Sequence, residues 1–544
     1  MSAPIPKEVA HDVFPDHSWA KPTVARFVDR TPLMRIALVT EGTYPVRTGG
    51  VSTWCDQLLQ GLPEHTWTVV GLTATSAERP VWTVPASVKS VVLHPLWGPQ
   101  PPAARRRRGG SNPHGAVQRA LFLLWDAALA PDQEEAVDQA RGALRALVEL
   151  SRDARLASLL AVRGSTSALL SAWSRRCSGL PPLSVAAAVA AATIVDRTLA
   201  AVDAPVPRVD LVHAGGNGAA ALVGLAARWR HGTPMVLSEH GVYLRERYLA
   251  LNDGTRSWAE RRAVTAVLRR ASEVAYREAE HVLPVSDFNS RWAQRLGADA
   301  SRVITIRNGV QSDLYDPVGE EPAVPTLSFV GRVDPLKDLH NLIRAFALVR
   351  EKLPTVLLRI FGPVPEGNER YRDSVAALAS QLGVQDGVTF EGPTNGSRSA
   401  IAAGSIVVLS SISEGLPFTV IEAMMCGRAT VSTDVGGVSE CLDDERRAGA
   451  IVPARDPQAF ADACVLLLTD NERRWAMAAA ARRHAMSTAT LDRALLAYRA
   501  AYASAAGQPA TELLLRQLKP RAPIDAIRSA VPTRTDGSLV AGSR

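Results

Sequence analysis

The sequence is poor in cysteine: Cys55, Cys177, Cys426, Cys441 and Cys464 are an odd five, and even Cys426 and Cys441 stand fifteen positions apart. That spacing offers neither a disulfide framework nor a metal-ligand pair, and a reducing cytosol is the simplest home. An apolar leader is missing as well. The N-terminus runs through Lys7, His11, Asp12 and Asp16 without an h-region, so no signal peptide is expected. Long hydrophobic runs are also scarce. The most membrane-like, Ser184 to Val195, ends at Asp196 and Arg197 and reads as too short to span, which leaves peripheral contact at the inner face of the membrane as the expectation.

What is present is ordinary globular material. The 544 residues suggest about three domains, or two large ones with extensions. Hydrophobic residues make up 47%, charged residues 21% and aromatics 5%, in a chain rich in Ala and Arg. Lys and Arg outnumber Asp and Glu by 61 − 54 = 7. Much of that surplus sits in Arg105 to Arg108 and the C-terminal tail. It fits an anionic ligand or a membrane surface and does not imply nucleic acid.

Residues 1–33 lack periodicity and read as an extension. The run Arg35-Ile-Ala-Leu-Val-Thr40 then leads through Glu41-Gly-Thr-Tyr-Pro-Val-Arg-Thr-Gly-Gly50 into a helical pattern with Val51, Trp54, Leu58 and Leu59 on one face. Strand-like runs at Trp67–Leu72, Ser90–His94, Asp210–Ala214 and Met235–Ser238 alternate with helical stretches, as a parallel sheet requires. Residues 98–200 break the rhythm: prolines, the four arginines, which read as a solvated loop, then Ala/Leu/Arg-rich segments expected as a helical insertion. A second series begins near Pro322, with strands at Thr326–Val330, Val356–Phe361, Val388–Glu391, Ile406–Leu409 and Thr430–Thr433 and helices from Asp338 and Pro417. The expectation is an α/β chain of two Rossmann-like units, 34–315 and 316–484, with a helix over 485–506 and a disordered tail over 507–544. Ligands of such sheets lie at the carboxyl ends of the strands, in the cleft between the units.

Two loops there carry chemistry. In Ser413-Glu-Gly-Leu-Pro-Phe-Thr-Val-Ile-Glu-Ala423 a strand passes through a polar loop into a helix. Pro417 fits the first turn, and the free amides near Phe418 and Thr419 suit a diphosphate. Glu422, one turn on, can accept hydrogen bonds from ribose hydroxyls, while Glu414 is placed away from it, where a sugar should be. In Phe329-Val-Gly-Arg-Val-Asp-Pro-Leu-Lys337, Gly331 permits close backbone approach, and Arg332 and Lys337 can both reach a pyrophosphate. Gly49 and Gly50 open the first helix across the cleft as a further donor contact. The chain contains no Asp-x-Asp triplet, the commonest carboxylate signature of metal-dependent sugar transfer, and no metal site is expected.

The Gly49-Gly50 loop, Arg332 with Lys337, and the Glu414/Glu422 pair resemble retaining glycosyltransferases of family four. Glu41-Gly-Thr-Tyr-Pro, Gly49-Gly-Val-Ser-Thr-Trp54 and Ser238-Glu-His-Gly-Val-Tyr-Leu-Arg-Glu-Arg247 are more narrowly similar to the PelF branch, associated with bacterial exopolysaccharide synthesis. The resemblance covers roughly residues 34–502 outside the insertion. It implies a GT-B fold with no metal and no cofactor, the donor being a substrate held mainly by the C-terminal unit. Transferred residue by residue, it implies that Arg332 and Lys337 bind the diphosphate with Gly331, Gly415, Leu416, Pro417 and Phe418 around it. Glu422 would hold the ribose, Glu414 the transferred sugar, and His240 would meet that sugar from the N-terminal side. The implied partners are a nucleotide sugar, a saccharide acceptor and, peripherally, a membrane polysaccharide export complex. Ala429 and Ser439 stand where relatives commonly have proline, which leaves donor and acceptor choice open.

Other readings stay open. Gly216-Asn-Gly218-Ala-Ala-Ala221 after a strand matches a dinucleotide fingerprint, with Glu239 near the expected ribose spacing, so an NAD-dependent oxidoreductase competes. A nucleotide-sugar 2-epimerase and a silent saccharide-binding subunit would share the two-domain fold.

Overall fold

The computed structural model describes residues 33–507 apart from 99–112, 132–133, 153–154, 163, 253, 395 and 443–447. The expected N-terminal extension, the tail beyond 507 and the Arg105–Arg108 tract lie outside the described residues.

Two six-stranded parallel sheets organise the chain. The first contains β1 (Arg35–Glu41), β2 (Thr66–Thr73), β3 (Val88–Pro95), β4 (Leu211–Ala214), β5 (Met235–Glu239) and β6 (His281–Pro284), in the order β3-β2-β1-β4-β5-β6. The second contains β7 (Thr326–Val330), β8 (Leu357–Phe361), β9 (Val388–Gly392), β10 (Ile406–Leu409), β11 (Ala429–Thr433) and β12 (Ala450–Val452), in the order β12-β11-β10-β7-β8-β9. Each begins with a strand that later sits in the middle, flanked on both sides, so the order reverses once per sheet. The reversals fall between β1 and β4 and between β7 and β10, which pair in parallel from Ile36↔Leu211 and Ile406↔Leu327. The inner strands β4, β5, β7, β10 and β11 are buried along their whole length; β10 reads accordingly as a continuous apolar run, whereas β7 and β11 also bury Ser328, Thr430 and Ser432.

The region expected as an insertion is helical: Pro113–Leu129, Glu134–Leu150, Leu156–Val162, Thr166–Arg176 and Val185–Leu199. Its apolar faces share one core with the helices Ala219–His231 and Trp258–Glu278 of the first unit. Buried Asp126 accepts from both Arg175 (2.7 and 2.5 Å) and Arg176 (2.9 and 2.7 Å), so the carboxylate is held ionised by two forks. The Ala/Val helix corrects one expectation. With the following 3-10 turn it extends to Asp203, 19 residues, long and apolar enough by length and composition to cross a membrane. Yet Ala188, Ala191, Ala192, Val195 and Leu199 are buried in the insertion core, and Asp196 accepts from the Ser165 hydroxyl at 2.6 Å, so it packs as a core helix.

After the second sheet the helices Pro457–Thr469 and Asn471–Thr488 complete that unit, and Leu491–Ala505 crosses back to the first. Its Ala494, Tyr498, Ala501 and Tyr502 pack with Ile36, Trp54, Leu58 and Trp67. Trp54 Nε1 donates to Tyr498 Oη at 2.9 Å, and Tyr502 Oη lies 2.7 Å from His213 Nδ1.

Candidate active site

The loops after β7 and β10 leave neighbouring strands at the point where the strand order reverses, so residues 77 apart in sequence meet there. Lys337, on a turn started by Asp334, which accepts from the Leu336 amide at 3.0 Å, places Nζ 2.5 Å from Glu414 Oε1. Ser411 donates to that same oxygen at 2.6 Å, and Ser410 donates to the Lys337 carbonyl at 2.7 Å. Arg332 is half-exposed and lies 2.9 Å from Asp334. Gly362 is needed beneath this loop, because a Cβ there would overlap the Gly331 carbonyl. Arg332 and Lys337, read from the sequence as reaching a pyrophosphate, each have a carboxylate partner within the loops, and Glu414 sits beside Lys337.

The helix after β10 spans Phe418–Met425, with Pro417 one position ahead of it at φ −73°. Pro417 is thus the residue before the first turn rather than within it. Thr419 donates to the Val330 carbonyl at 3.0 Å, which fixes the helix start against the end of β7. Glu422 is 9% exposed, and Tyr315 donates to its Oε1 at 3.0 Å, so only its other oxygen is without that partner. Burial pushes the Glu422 carboxyl up from its ordinary range, opposed by hydrogen bonds from Ser397 and Tyr315.

The first unit closes over these loops. Gly415 lies against the backbone of His240, where any Cβ would overlap the His240 carbonyl. A Cβ on Gly50 would stand 3.5 Å from the Phe418 ring, whereas Gly49 meets nothing so close and serves the helix start through its φ of 155°. Arg245 donates to the Ser413 hydroxyl (2.8 Å) and the Ile412 carbonyl (3.0 Å), and Asn308 to the Leu416 carbonyl (2.8 Å). Glu440 of the second unit accepts from the amides of Asp287 and Phe288, both at 2.6 Å, capping a helix of the first.

His240 stands at the seam. Its ring centroid is 4.2 Å from that of Trp54, Nε2 is buried without a partner, and burial pushes its pKa down to about 3. The imidazole is therefore neutral at physiological pH and packs on Trp54 as an uncharged ring, not a cation. Arg332, Lys337, Glu414, the 415–418 backbone, Gly50 and His240 thus share one seam, and the arrangement offers positive potential plus a helix start on one wall and a neutral ring on the other. Sequence reasoning left Arg245, Glu246, Ser411, Tyr315 and Glu440 without roles. Arg245 and Glu246 stood inside the quoted motif ending at Arg247, the one signal that could have drawn attention to them. Among the described residues no group of three or more His, Cys, Asp or Glu side chains could hold a metal ion.

The dinucleotide reading fares poorly. The strand before Gly216 is β4, not the first of its sheet. Glu41 accepts from the Ala219 amide at 3.1 Å, occupying the helix start that a pyrophosphate would need. The Tyr243 ring lies where a Cβ on Gly218 would be. Glu239 accepts from Tyr276 at 2.7 Å in full burial, which pushes its pKa up to about 8 and removes it from any ribose.

Two doubly wound units facing each other across a cleft, with the site loops at both strand-order reversals, are the GT-B architecture. Residues 324–470 match the family described as glycosyl transferases group 1, and residues 34–301 match a domain of unknown function, DUF3492. A D-inositol 3-phosphate glycosyltransferase of Saccharomonospora viridis is 30% identical over 52% of this chain and 69% of its own length. The chain belongs to the group 1 glycosyltransferases. One of Kribbella flavida is 34% identical over 38% of this chain and 52% of its own. The chain thus spans about half the length of that relative. Among solved structures, Anabaena HepE in complex with UDP and glucose is similar with a TM-score of 0.53 at 17% identity, covering 85% of this chain and 97% of that one. Sucrose-phosphate synthase of Thermosynechococcus elongatus gives 0.55 at 17% identity, covering 89% and 98%.

Proposed function

We propose that this protein transfers a sugar from a nucleotide-sugar donor, UDP-glucose being the first to try, to a saccharide acceptor, with retention of configuration and without a metal ion. The observation that carries the reading is the meeting of Arg332, Lys337, Glu414 and the Phe418 helix start opposite His240. When the bond between the anomeric carbon and the diphosphate breaks, negative charge grows on the leaving oxygen, and the two cations and the helix start lie on that side. Glu414, tied to Lys337 and Ser411, is suited to gripping sugar hydroxyls rather than to attacking the carbon. The acceptor oxygen then bonds the carbon on the face the diphosphate leaves, and its proton passes to the departing phosphate oxygen.

By the resemblance to the PelF branch, the setting is exopolysaccharide or cell-surface glycan synthesis at the cytoplasmic face of the membrane, beside an export complex. Screening UDP-, GDP- and ADP-sugars for thermal protection identifies the donor; a ligand at one hundred times its dissociation constant adds about 2.7 kcal/mol. Turnover of that donor is expected to survive EDTA. Loss in chelator with rescue by Mn²⁺ or Mg²⁺ would overturn the metal-free reading, and an epimeric nucleotide sugar formed from donor alone would replace transfer by epimerisation.

A further inference from the structure

The carboxylates at the seam and in the core behind it differ in one respect. Glu414 holds Lys337 and Ser411, Glu422 holds Tyr315, Glu239 holds Tyr276, and Glu41 holds the Ala219 amide. Glu246, on the helix Tyr243–Leu251 of the first unit, has no hydrogen-bond donor and no ion-pair partner among the described residues. Its surroundings make that costly. Burial pushes its carboxyl up, Arg247 nearby pulls it down without donating to it, and the charges of Glu414 and Arg332 across the seam both act on it. A half-buried carboxylate with open accepting capacity carries a desolvation penalty that a ligand's hydroxyl would relieve.

The backbone reserves the place. Glu246 Oε1 lies directly over Gly241, where any Cβ would overlap it, and Gly241 follows the His240 whose carbonyl abuts Gly415. The neighbouring Arg245 fixes this helix to Ser413 and Ile412, so Glu246 is held at the junction of both units, beside the loop that carries Glu414.

We propose that Glu246 binds the acceptor: it accepts a hydrogen bond from a hydroxyl of a neutral sugar and holds that sugar in the cleft against His240. The inference rests on the glycosyltransferase reading above. It also commits to an acceptor chemistry, since a phosphate or carboxylate at this spot would face a carboxylate with no donor.

The test uses the full chain with UDP-glucose, glucose and methyl α-glucoside as neutral acceptors, and glucose 6-phosphate and D-inositol 3-phosphate as anionic ones. For Glu246→Gln the acceptor kcat/KM is expected to fall by roughly ten- to a hundredfold, the range for a hydrogen bond to a charged group. UDP-glucose hydrolysis by water and the Kd for UDP should stay within about twofold of the wild type, because the donor loops are untouched. Gly241→Ala, which displaces the carboxylate but keeps its charge, should give the same split. Unchanged transfer in both variants, hydrolysis falling as far as transfer, or wild-type preference for the phosphorylated acceptors would each overturn the inference. A wild-type protein that binds none of the nucleotide sugars would instead overturn the glycosyltransferase reading itself, and this inference with it.

Discussion

Lys337 and Glu414 hold each other at 2.5 Å with side chains only 19% and 12% exposed. Such a pair contributes little net stability, because desolvation offsets attraction, but removing one member leaves the other buried and unpaired. The pair gives the loops a fixed shape, and Lys337 is worth most once the diphosphate gains charge. Lys337→Ala is therefore expected to cut kcat by roughly a hundredfold or more while the Kd for UDP rises by less, as for loss of one preorganised electrostatic group. Raised KM with unchanged kcat would show that the lysine only holds substrate. Glu414→Gln should keep donor affinity, lose turnover and accumulate no glycosyl-enzyme detectable by mass spectrometry.

The loop before the Phe418 helix depends on close packing between units. Gly415 packs against the His240 carbonyl so closely that any Cβ would overlap it, and this is a contact between units, not within either. Overpacking of this kind costs about 1–3 kcal/mol. In Gly415→Ala that cost should fall on closure, so kcat drops roughly ten- to a hundredfold while the Tm and the Kd for UDP change little. A large fall in Tm would show instead that the loop's own fold needs glycine. Elements like this one show what a sequence reveals. The signature loops were legible because strand, glycine and helix signals sit next to each other in the chain. β6 and β12 were not, since strands of four and three residues give neither alternation nor a long run. The partners of Arg245 and Glu440 were equally hidden: 168 and 153 positions separate each from its contact, and no local pattern encodes such distances.

At the scale of the whole molecule, burial of polar groups around the first sheet makes stability depend on pH. Glu239, ordinarily titrating at 4.5, is pushed up to about 8, so the folded state keeps its proton where the unfolded chain has lost it. Its contribution is fully present below pH 4.5 and is lost as pH rises towards 8. Compared with Glu239→Gln, the wild type should lose stability across that window, by at most about 1.4 kcal/mol per pH unit. Urea unfolding of both proteins at several pH values isolates the residue, because other titrating groups cancel in the difference; parallel curves would refute the buried-proton assignment. The helix Leu491–Ala505 has a different kind of consequence. Trp54 finds its hydrogen-bond partner 444 positions downstream, in Tyr498. During synthesis the first unit emerges long before that partner, and domains otherwise complete themselves as they leave the ribosome. Its aromatic core must therefore wait, incomplete and with apolar surface uncovered, until nearly the whole second unit has been made, so the order of translation and the order of assembly run in opposite directions.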